Sequence, residues 1–312
     1  MKKVLPKKYG NVVIEVLSNH PDEPYSDHEA EDVLLKLYQS ANPNKKIAKI
    51  LGDKPSWPLY YHLSPKRSNL IKWYEFQKDS NILEVGAGCG ALTEALIKNK
   101  VSVTALELTR NRALINAARN RNANNLKMVV GNLDTYKPNN KFDYIICVGV
   151  LEYAGTFYHS KNPYEDFLRS LSNLLVPGGK LLLAIENRFG MKYWSGARED
   201  HAHTFFEGHN GYPGKKRVQT FGRKELTDLL LKTRFNATNF YYPFPDYKSP
   251  AFVYSDSFYP GNGTTFPLGT LPTPTLDQPR ETFFSEQSTM RFIEANNLFP
   301  DFSNSFLVEA TK

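Results

Sequence analysis

The 312-residue chain has only two cysteines, Cys89 and Cys147, and both lie in apolar segments. So few cysteines exclude a disulfide framework and are typical of a reducing compartment, so a cytoplasmic location is predicted. Long hydrophobic runs are also missing. The uncharged stretch over residues 144–151 is far shorter than the ~20 apolar residues needed to cross a bilayer. The first ten residues contain four lysines and no apolar segment, so no secretory signal is predicted.

Both signs of charge are well represented, since the chain has 39 Lys and Arg and 32 Asp and Glu, which gives a net charge of +7. Such a surface can attract nucleic acid, anionic lipid or a phosphorylated substrate. The basic residues are spread along the chain, which favours an ordinary solvated surface. The chain has no internal repeat, and its length allows one large domain or two small ones.

From residue 81 onward, short apolar segments alternate with helical patterns. Strands are predicted over residues 81–85, 101–106, 126–130, 142–148 and 180–185, and helices over residues 91–98, 111–120 and 165–175. Continuous apolar strands separated by helices are typical of a parallel sheet with helices on both faces. The predicted fold class is therefore α/β, with a doubly wound, Rossmann-like sheet.

The chain on either side of this pattern predicts the domain organisation. Residues 1–66 are predicted to form an N-terminal helical extension that covers the cofactor and substrate, with one clear helix over residues 26–40. The core covers residues 67–248 and includes a substrate-side insertion over residues 187–217, a helix over residues 224–232 and a strand over residues 235–242. Residues 241–280 hold eight of the 20 prolines, which argues against a helix or a central strand there. Residues 249–304 are therefore predicted to form a Pro/aromatic lid insertion, and residues 305–312 the last strand of the core sheet.

A glycine-rich segment follows the first predicted strand. Glu84 is succeeded by Gly86, Ala87, Gly88 and Gly90, and a predicted helix comes next. Glycines let the backbone turn tightly and approach a ligand closely. Their GxGxG spacing differs from the GxGxxG of dinucleotide-binding folds, and the chain lacks a second mononucleotide half, so a nicotinamide oxidoreductase is disfavoured.

Polar or small residues also stand where the next strands end. Glu107 ends the second strand and can accept both hydroxyls of a ribose, although a helix-capping role is the alternative. The third strand ends in a polar side chain, Asn132, that can hydrogen-bond an adenine amine. The fourth strand runs through Gly149 into the cleft expected at the carboxyl edge of the sheet.

Taken in order, these motifs resemble class I methyltransferases over about residues 60–245, including the LVPGGKLLLA segment that begins at Leu175. The resemblance implies S-adenosylmethionine as the cofactor. The cofactor-binding residues that it implies are Glu84, Gly86, Ala87, Gly88, Gly90, Glu107, Leu108, Asn132, Leu133 and Gly149. Arg67 is a further candidate, on the carboxylate of the cofactor, unless its segment only caps a helix at Ser64 or Ser68. Asn132 stands where many relatives carry Asp.

Methyl transfer needs an acceptor held in line with the methyl group and, for an alcohol, a general base. His201 is the candidate base, oriented by Asp200 or Glu152. Candidate substrate-binding residues follow the fourth and fifth strands: Tyr153, Glu186, Asn187, Arg188 and Tyr193. Histidines at 201, 203 and 209 leave a metal site or a purely structural loop as alternatives, but their spacing matches no closed metal site, and none is predicted.

A second resemblance covers both ends of the chain and includes the segments at residues 61–65, 184–193, 199–201, 241–248 and 303–308. These are similar to a bacterial methyltransferase group associated with cell-surface polysaccharide synthesis. The resemblance implies O-methylation of a saccharide or sugar-phosphate, with a glycosyltransferase as a partner. The alternatives are an RNA or other nucleic-acid methyltransferase, which the lack of an Asn/Asp-Pro-Pro-aromatic loop disfavours, and a non-catalytic scaffold for a glycosyltransferase complex.

Overall fold

The structure is a computed structural model that describes residues 6–17, 26–213, 217–267, 272–273, 275 and 279–312. The chain divides into two compact units. The first unit is Met1–Cys147 with Leu174–Gly179, and the second is Val148–Asn173 with Lys180–Lys312. The predicted core over residues 67–248 therefore contributes to both units. Among the described residues, no helix is both long and apolar enough to cross a membrane.

The first unit contains the glycine-rich segment and most of the parallel strands. Its strands are β1 (Lys8–Tyr9), β2 (Val12–Val16), β3 (Asn81–Val85), β4 (Ser102–Glu107), β5 (Leu126–Val130) and β6 (Phe142–Val148). Its helices are α1 (Glu29–Gln39), α2 (Pro43–Gly52), α3 (Trp57–Leu63), α4 (Thr93–Leu96) and α5 (Arg110–Arg119), with a 3₁₀ helix at Pro65–Leu70.

These strands lie in the order β1-β2-β5-β4-β3-β6. Every neighbouring pair from β2 to β6 is parallel, whereas β1 runs antiparallel to β2. The order places the carboxyl ends of β3 and β4 side by side, as in doubly wound α/β sheets. The predicted α/β fold class is confirmed.

The N-terminal extension is not purely helical, contrary to the prediction. Residues Val13–Val16 of β2 pair in parallel with Lys127–Val130 of β5 and lengthen the sheet by one strand. Alternation explains the strand, because Val12 and Ile14 are buried while Val13 and Glu15 are exposed. The predicted helix over residues 26–40 is present as α1.

Helix α1 packs on α5. Residues of both helices belong to one apolar cluster, whose buried members are Leu34, Leu37, Tyr38, Leu63, Cys89, Ile115 and Ala118. Acidic side chains in the first turn of α1 suit the positive end of the helix dipole. Cys89 belongs to this cluster, and both cysteines are free and buried.

Leu34→Ala is expected to lower the free energy of unfolding by about 2–5 kcal/mol, because truncation of a buried leucine leaves a cavity. Leu34 is fully buried, whereas the adjacent Val33 is 39% exposed. Val33→Ala is thus a matched control on the same helix and should cost less than about 0.5 kcal/mol. Urea denaturation of the three proteins measures the difference; equal losses would contradict the packing assigned to Leu34.

The second unit contains the later strands and the segments between them. Its elements are α6 (Ala154–Phe157), α7 (Pro163–Leu174), β7 (Leu175–Glu186), α8 (Met191–Trp194), α9 (Arg223–Lys232), β8 (Ala237–Phe244), β9 (Phe252–Ser255), β10 (Tyr259–Pro260), β11 (Gly263–Thr264), α10 (Glu286–Ala295), α11 (Phe299–Phe302) and β12 (Ser305–Thr311). A 3₁₀ turn at Leu151–Tyr153 precedes α6. Strand β12 runs antiparallel between β7 and β8, and β9 pairs outside β8.

The proline-rich segment differs from the prediction at its start. Strand β8 continues to Phe244 through Pro243, beyond the point where a central strand was expected to end. Strand β8 pairs with β12 only as far as Tyr241. Pro243 lies beyond this paired region, so its missing N–H removes no hydrogen bond to β12. The aromatic residues further on form a core around the buried Phe299, which contacts Tyr254 and Phe266. Within the predicted lid, residues 268–271, 274 and 276–278 lie outside the described residues.

Candidate functional site

The glycine-rich loop turns sharply between β3 and α4. Gly86, Gly88 and Gly90 have φ values of 71°, 53° and 84°, in the left-handed region that favours glycine. A Cβ added at Gly90 would lie 2.5 Å from Oδ1 of Asn116, whereas one at Gly88 would meet nothing within 4 Å. Gly90 thus permits close packing against α5, and Gly88 leaves open space of the kind that a bound cofactor needs.

Glu107 holds this loop from the end of β4. One of its carboxylate oxygens accepts a hydrogen bond from the N–H of Gly88 at 2.8 Å, and the other accepts from the N–H of Thr109 at 2.8 Å. Glu107 is only 5% exposed, so these charge-assisted bonds are shielded from water. The structure brings the predicted ribose-binding acid into direct contact with the predicted cofactor loop.

Glu84 lies beneath the loop and is 3% exposed. Its carboxyl accepts a hydrogen bond from the hydroxyl of Thr93 at 2.5 Å. Burial raises the pKa of Glu84 to about 8, although Thr93 and the charge of Arg67 oppose the shift. At neutral pH, Glu84 is therefore largely protonated in the ligand-free protein.

The raised pKa of Glu84 predicts that the free energy of unfolding depends on pH, and Glu84→Gln should remove this dependence. Below the usual pKa of 4.5, Glu84 is protonated in both folded and unfolded chains; between 4.5 and about 8, only the folded chain keeps the proton. Its contribution to the free energy of unfolding therefore falls as pH rises through this window, by about 1.4 kcal/mol per unit of pKa difference. Denaturation of wild type and Glu84→Gln at about pH 5 and about pH 8 tests this linkage. An identical pH dependence in both proteins would contradict it.

The remaining predicted cofactor residues take varied positions. Ala87 and Leu133 are buried, and Leu108 and Asn132 are partly exposed. Arg67 is buried and donates to the hydroxyl of Tyr61 at 2.6 Å, while Ser64 caps the 3₁₀ helix by accepting from the N–H of Lys66. Ser64 therefore has the helix-capping role that was the alternative to a cofactor contact for this segment. Gly149 belongs to the second unit, where its N–H donates to the carbonyl of Ala184 at 3.0 Å.

A buried polar cluster lies in the second unit and contains Glu152, Tyr153, Glu186 and His201. Nδ1 of His201 lies 3.2 Å from the hydroxyl of Tyr153, and Nε2 lies 3.8 Å from Oε2 of Glu186. Glu152 and Glu186 are 1% and 0% exposed. The structure thus brings together four residues that the sequence nominated separately.

Two lysines neutralise the acids beside His201. Nζ of Lys248 lies 2.7 Å from Glu186 and 2.8 Å from Asp200, and Nζ of Lys192 lies 2.9 Å from Asp200 and 2.8 Å from Asp246. Burial opposes ionisation of Asp200, but the two ammonium groups hold its pKa well below the usual value. The expectation that Asp200 orients His201 is corrected: Asp200 is paired with the lysines, and Glu186 is the carboxylate that faces the imidazole.

The cluster also shifts the pKa values of its own members. Burial, together with the negative charge of Glu186, raises the pKa of Glu152 to about 8. Burial acts to lower the pKa of His201, but the carboxylate of Glu186 outweighs it and raises that pKa to about 9. The pKa of Glu186 is held below its usual value, because Lys248 and His201 outweigh the effect of burial. At neutral pH, His201 is an imidazolium and Glu152 is largely uncharged.

Three predicted substrate residues have partners within the protein. The side-chain amide nitrogen of Asn187 donates hydrogen bonds to the backbone carbonyls of Asp301 and Ser303, at 2.7 and 2.8 Å. Arg188 donates to the carbonyl of Thr220 and pairs with Glu225 at 2.9 Å. Tyr193 donates its hydroxyl to Asp200. These contacts give all three a role in shaping the loops around the cluster.

The sequence prediction placed Lys192 only within a segment expected to face the transferred methyl group, and it did not select Asp246, Tyr247 or Lys248 as site residues. Tyr247 donates its hydroxyl to Glu186 at 3.1 Å, next to the ion pair of Lys248. No spacing links these residues to Glu186 or His201, because the fold brings distant segments together. The only signal was the similarity of residues 184–193 and 241–248 to the polysaccharide-associated group.

Residues 83–181 match a family model described as a methyltransferase domain. The matched residues include the glycine loop and strands β4, β5 and β6 of the parallel sheet, and the match agrees with the methyltransferase class that the sequence predicts.

Curated relatives carry the name ubiquinone biosynthesis O-methyltransferase. The Coxiella burnetii protein is 29% identical over 130 residues, which cover 40% of this chain and 52% of the relative. The Xanthomonas campestris protein is 30% identical over 143 residues, covering 44% of this chain and 55% of the relative. This chain spans about half the length of the curated relatives it matches.

Solved structures of methyltransferases are also similar to this chain. An S-adenosylmethionine-dependent methyltransferase from Thermotoga maritima is 15% identical, with 89% of this chain and 99% of that chain covered and a TM-score of 0.46. One from Mesorhizobium loti is 14% identical, with 80% of this chain and 98% of that chain covered and a TM-score of 0.45.

Proposed function

We propose that this protein is an S-adenosylmethionine-dependent O-methyltransferase whose acceptor hydroxyl binds at the cluster of Glu152, Tyr153, Glu186 and His201. The observation that carries the proposal is the position of His201, whose two ring nitrogens face a phenol and a carboxylate. A buried imidazole beside an anionic partner is an arrangement suited to proton transfer. The name of the curated relatives, which specifies transfer to oxygen, supports the same reaction type.

The glycine loop would hold the cofactor through Gly86, Gly88 and Glu107, whose carboxylate is suited to the ribose hydroxyls. When bound, S-adenosylmethionine supplies an electrophilic methyl group. The chain's own residues must then orient the acceptor oxygen and remove its proton. His201 takes that proton at Nε2, and the carboxylate of Glu186 stabilises the imidazolium that forms. Because the pKa of His201 is about 9, the imidazole must first lose a proton to act as a base.

For the acceptor, we propose a hydroxyl of a saccharide or sugar-phosphate used in bacterial surface polysaccharide synthesis. Support comes from the resemblance of the loops around the cluster to the polysaccharide-associated group and from the density of hydroxyl-binding groups there. Carboxylates, lysines and tyrosines that converge in one place suit a polyhydroxylated ligand. Association with a glycosyltransferase remains a prediction of the same resemblance.

A hydroxyl of a ubiquinone precursor is the second candidate acceptor, with catechols as model compounds, and the name of the curated relatives favours it. One assay separates the candidates: formation of S-adenosylhomocysteine is followed with sugar-phosphates, nucleotide sugars, catechols and RNA as acceptors. Turnover only with saccharides would support the first proposal, and turnover only with catechols the second. Turnover only with RNA would contradict both. Calorimetric titration with S-adenosylmethionine, with NAD as a control, precedes the assay; binding without turnover of any acceptor would favour the scaffold alternative.

A further inference from the structure

We propose that Glu152, Glu186 and His201 form a binding site for one divalent transition-metal ion of the Mn²⁺ or Zn²⁺ kind. Each residue offers one ligand atom, and these atoms all lie within 4.8 Å of one another. Two carboxylate oxygens and an imidazole nitrogen are a donor set that such ions accept. The proposal goes beyond the proposed function and does not depend on which acceptor is methylated. Because the ion would occupy Nε2 of His201, the metal-bound state is one in which His201 is a ligand and not the base.

Each of these three residues also has one atom for which the described part of the chain supplies no hydrogen-bond partner. These are Oε2 of Glu152, Oε2 of Glu186 and Nε2 of His201, all buried from solvent. Unpaired buried polar atoms destabilise a folded protein and call for an explanation. One cation bonded to all three would give each of them a partner at once.

The distances fit a cation after a small contraction. Ligand atoms at about 2.0–2.2 Å from an ion lie about 3–4 Å from one another. Nε2 of His201 and Oε2 of Glu186 are already 3.8 Å apart. The pair furthest apart, at no more than 4.8 Å, needs to close by less than an ångström, which side-chain rotation can supply.

Neighbouring groups orient two of the three ligands. Oε1 of Glu186 accepts from Tyr247 and pairs with Lys248, which leaves Oε2 for the cation. Nδ1 of His201 is hydrogen-bonded to Tyr153, which leaves Nε2. Outer contacts of this kind fix the tautomer and direction of metal ligands in proteins.

The charges of the cluster also favour a divalent ion, although two lysines are close by. With His201 neutral, as a metal ligand must be, the carboxylates of Glu152, Glu186, Asp200 and Asp246 exceed the ammonium groups of Lys192 and Lys248 by two negative charges. A divalent ion balances that surplus.

The test titrates the full-length, chelator-treated protein with MnCl₂ and measures free Mn²⁺ by electron paramagnetic resonance. We expect one ion bound per chain and at least a tenfold loss of affinity in Glu152→Gln, Glu186→Gln and His201→Gln. His209→Gln is the matched control, because this histidine of the same unit also has an unpartnered Nε2 but lies outside the cluster. Its affinity for Mn²⁺ should equal that of wild type.

Absence of binding by the wild type at millimolar Mn²⁺, or binding unchanged in all three variants, would overturn the proposal. Should the variants fail to fold, anomalous diffraction from wild-type crystals soaked in MnCl₂ locates the ion directly. A peak in bonding contact with the three atoms supports the site, and a peak elsewhere overturns it. No cofactor or acceptor is present in these measurements, so their failure is distinct from a failure to transfer methyl groups.

Discussion

Glu107→Ala is expected to weaken binding of S-adenosylmethionine by about 100-fold, since two charge-assisted hydrogen bonds are worth roughly 3 kcal/mol together. In the ligand-free structure, the carboxylate already holds the N–H groups of Gly88 and Thr109. The substitution therefore removes both the proposed ribose partner and the group that fixes the loop. Calorimetric titration with S-adenosylmethionine and S-adenosylhomocysteine gives the two dissociation constants.

Two further variants separate these effects. Glu107→Gln keeps an acceptor oxygen but loses the charge, so a smaller loss of affinity is expected. Glu15→Ala changes an exposed glutamate of the same unit, paired with Lys127, and should leave the affinity for the cofactor unchanged. Thermal unfolding shows whether each variant is folded. Equal affinity in wild type and a folded Glu107→Ala variant would remove the ribose role from Glu107.

His201→Gln is expected to lower turnover by about 100-fold or more, the usual contribution of a general base. Affinity for S-adenosylmethionine should stay unchanged, because His201 is not among the predicted cofactor-binding residues. His209→Gln is the matched control, with turnover equal to wild type. Undiminished turnover in His201→Gln would exclude His201 from proton transfer.

The pH dependence of kcat/KM adds a readout that a purely structural role would not change. In the chelator-treated enzyme, kcat/KM should rise with pH up to about 9, because His201 accepts a proton only after its imidazolium has lost one. The rise should be absent from the residual activity of His201→Gln. If Mn²⁺ occupies the proposed site, His201 is a ligand, so metal loading should remove the same rise from the wild-type profile.

The sequence predicts the parallel strands well because each is a short apolar run between turn residues. The bounds of β3, β5 and β6 agree with the prediction to the residue. Strand β2 escaped prediction because its alternating residues fit a surface segment as well as a strand. Only its pairing with β5, more than 100 residues later, makes Val12 and Ile14 part of the core.

Some residues of the candidate site could be selected from the sequence, but the way these residues pair could not. Glu107 and the glycine loop were assigned from one local pattern, and the structure joins them by a hydrogen bond. Asp200 was expected to orient His201 because the two are adjacent in sequence. In the structure, Asp200 instead forms ion pairs with Lys192 and Lys248, which come from separate segments. Such long-range ion pairs follow from topology and leave no periodicity in the sequence.

Strand β12 has a consequence for the order in which the second unit can be assembled on the ribosome. Its residues Leu307–Thr311 pair with β8, and the whole strand pairs with β7, so it lies between two strands that are both synthesised earlier. Until β12 emerges, β7 and β8 each present an open edge, and open edges readily pair with other chains. Non-local pairing of this kind is slow, and it leaves the nascent chain dependent on protection during synthesis.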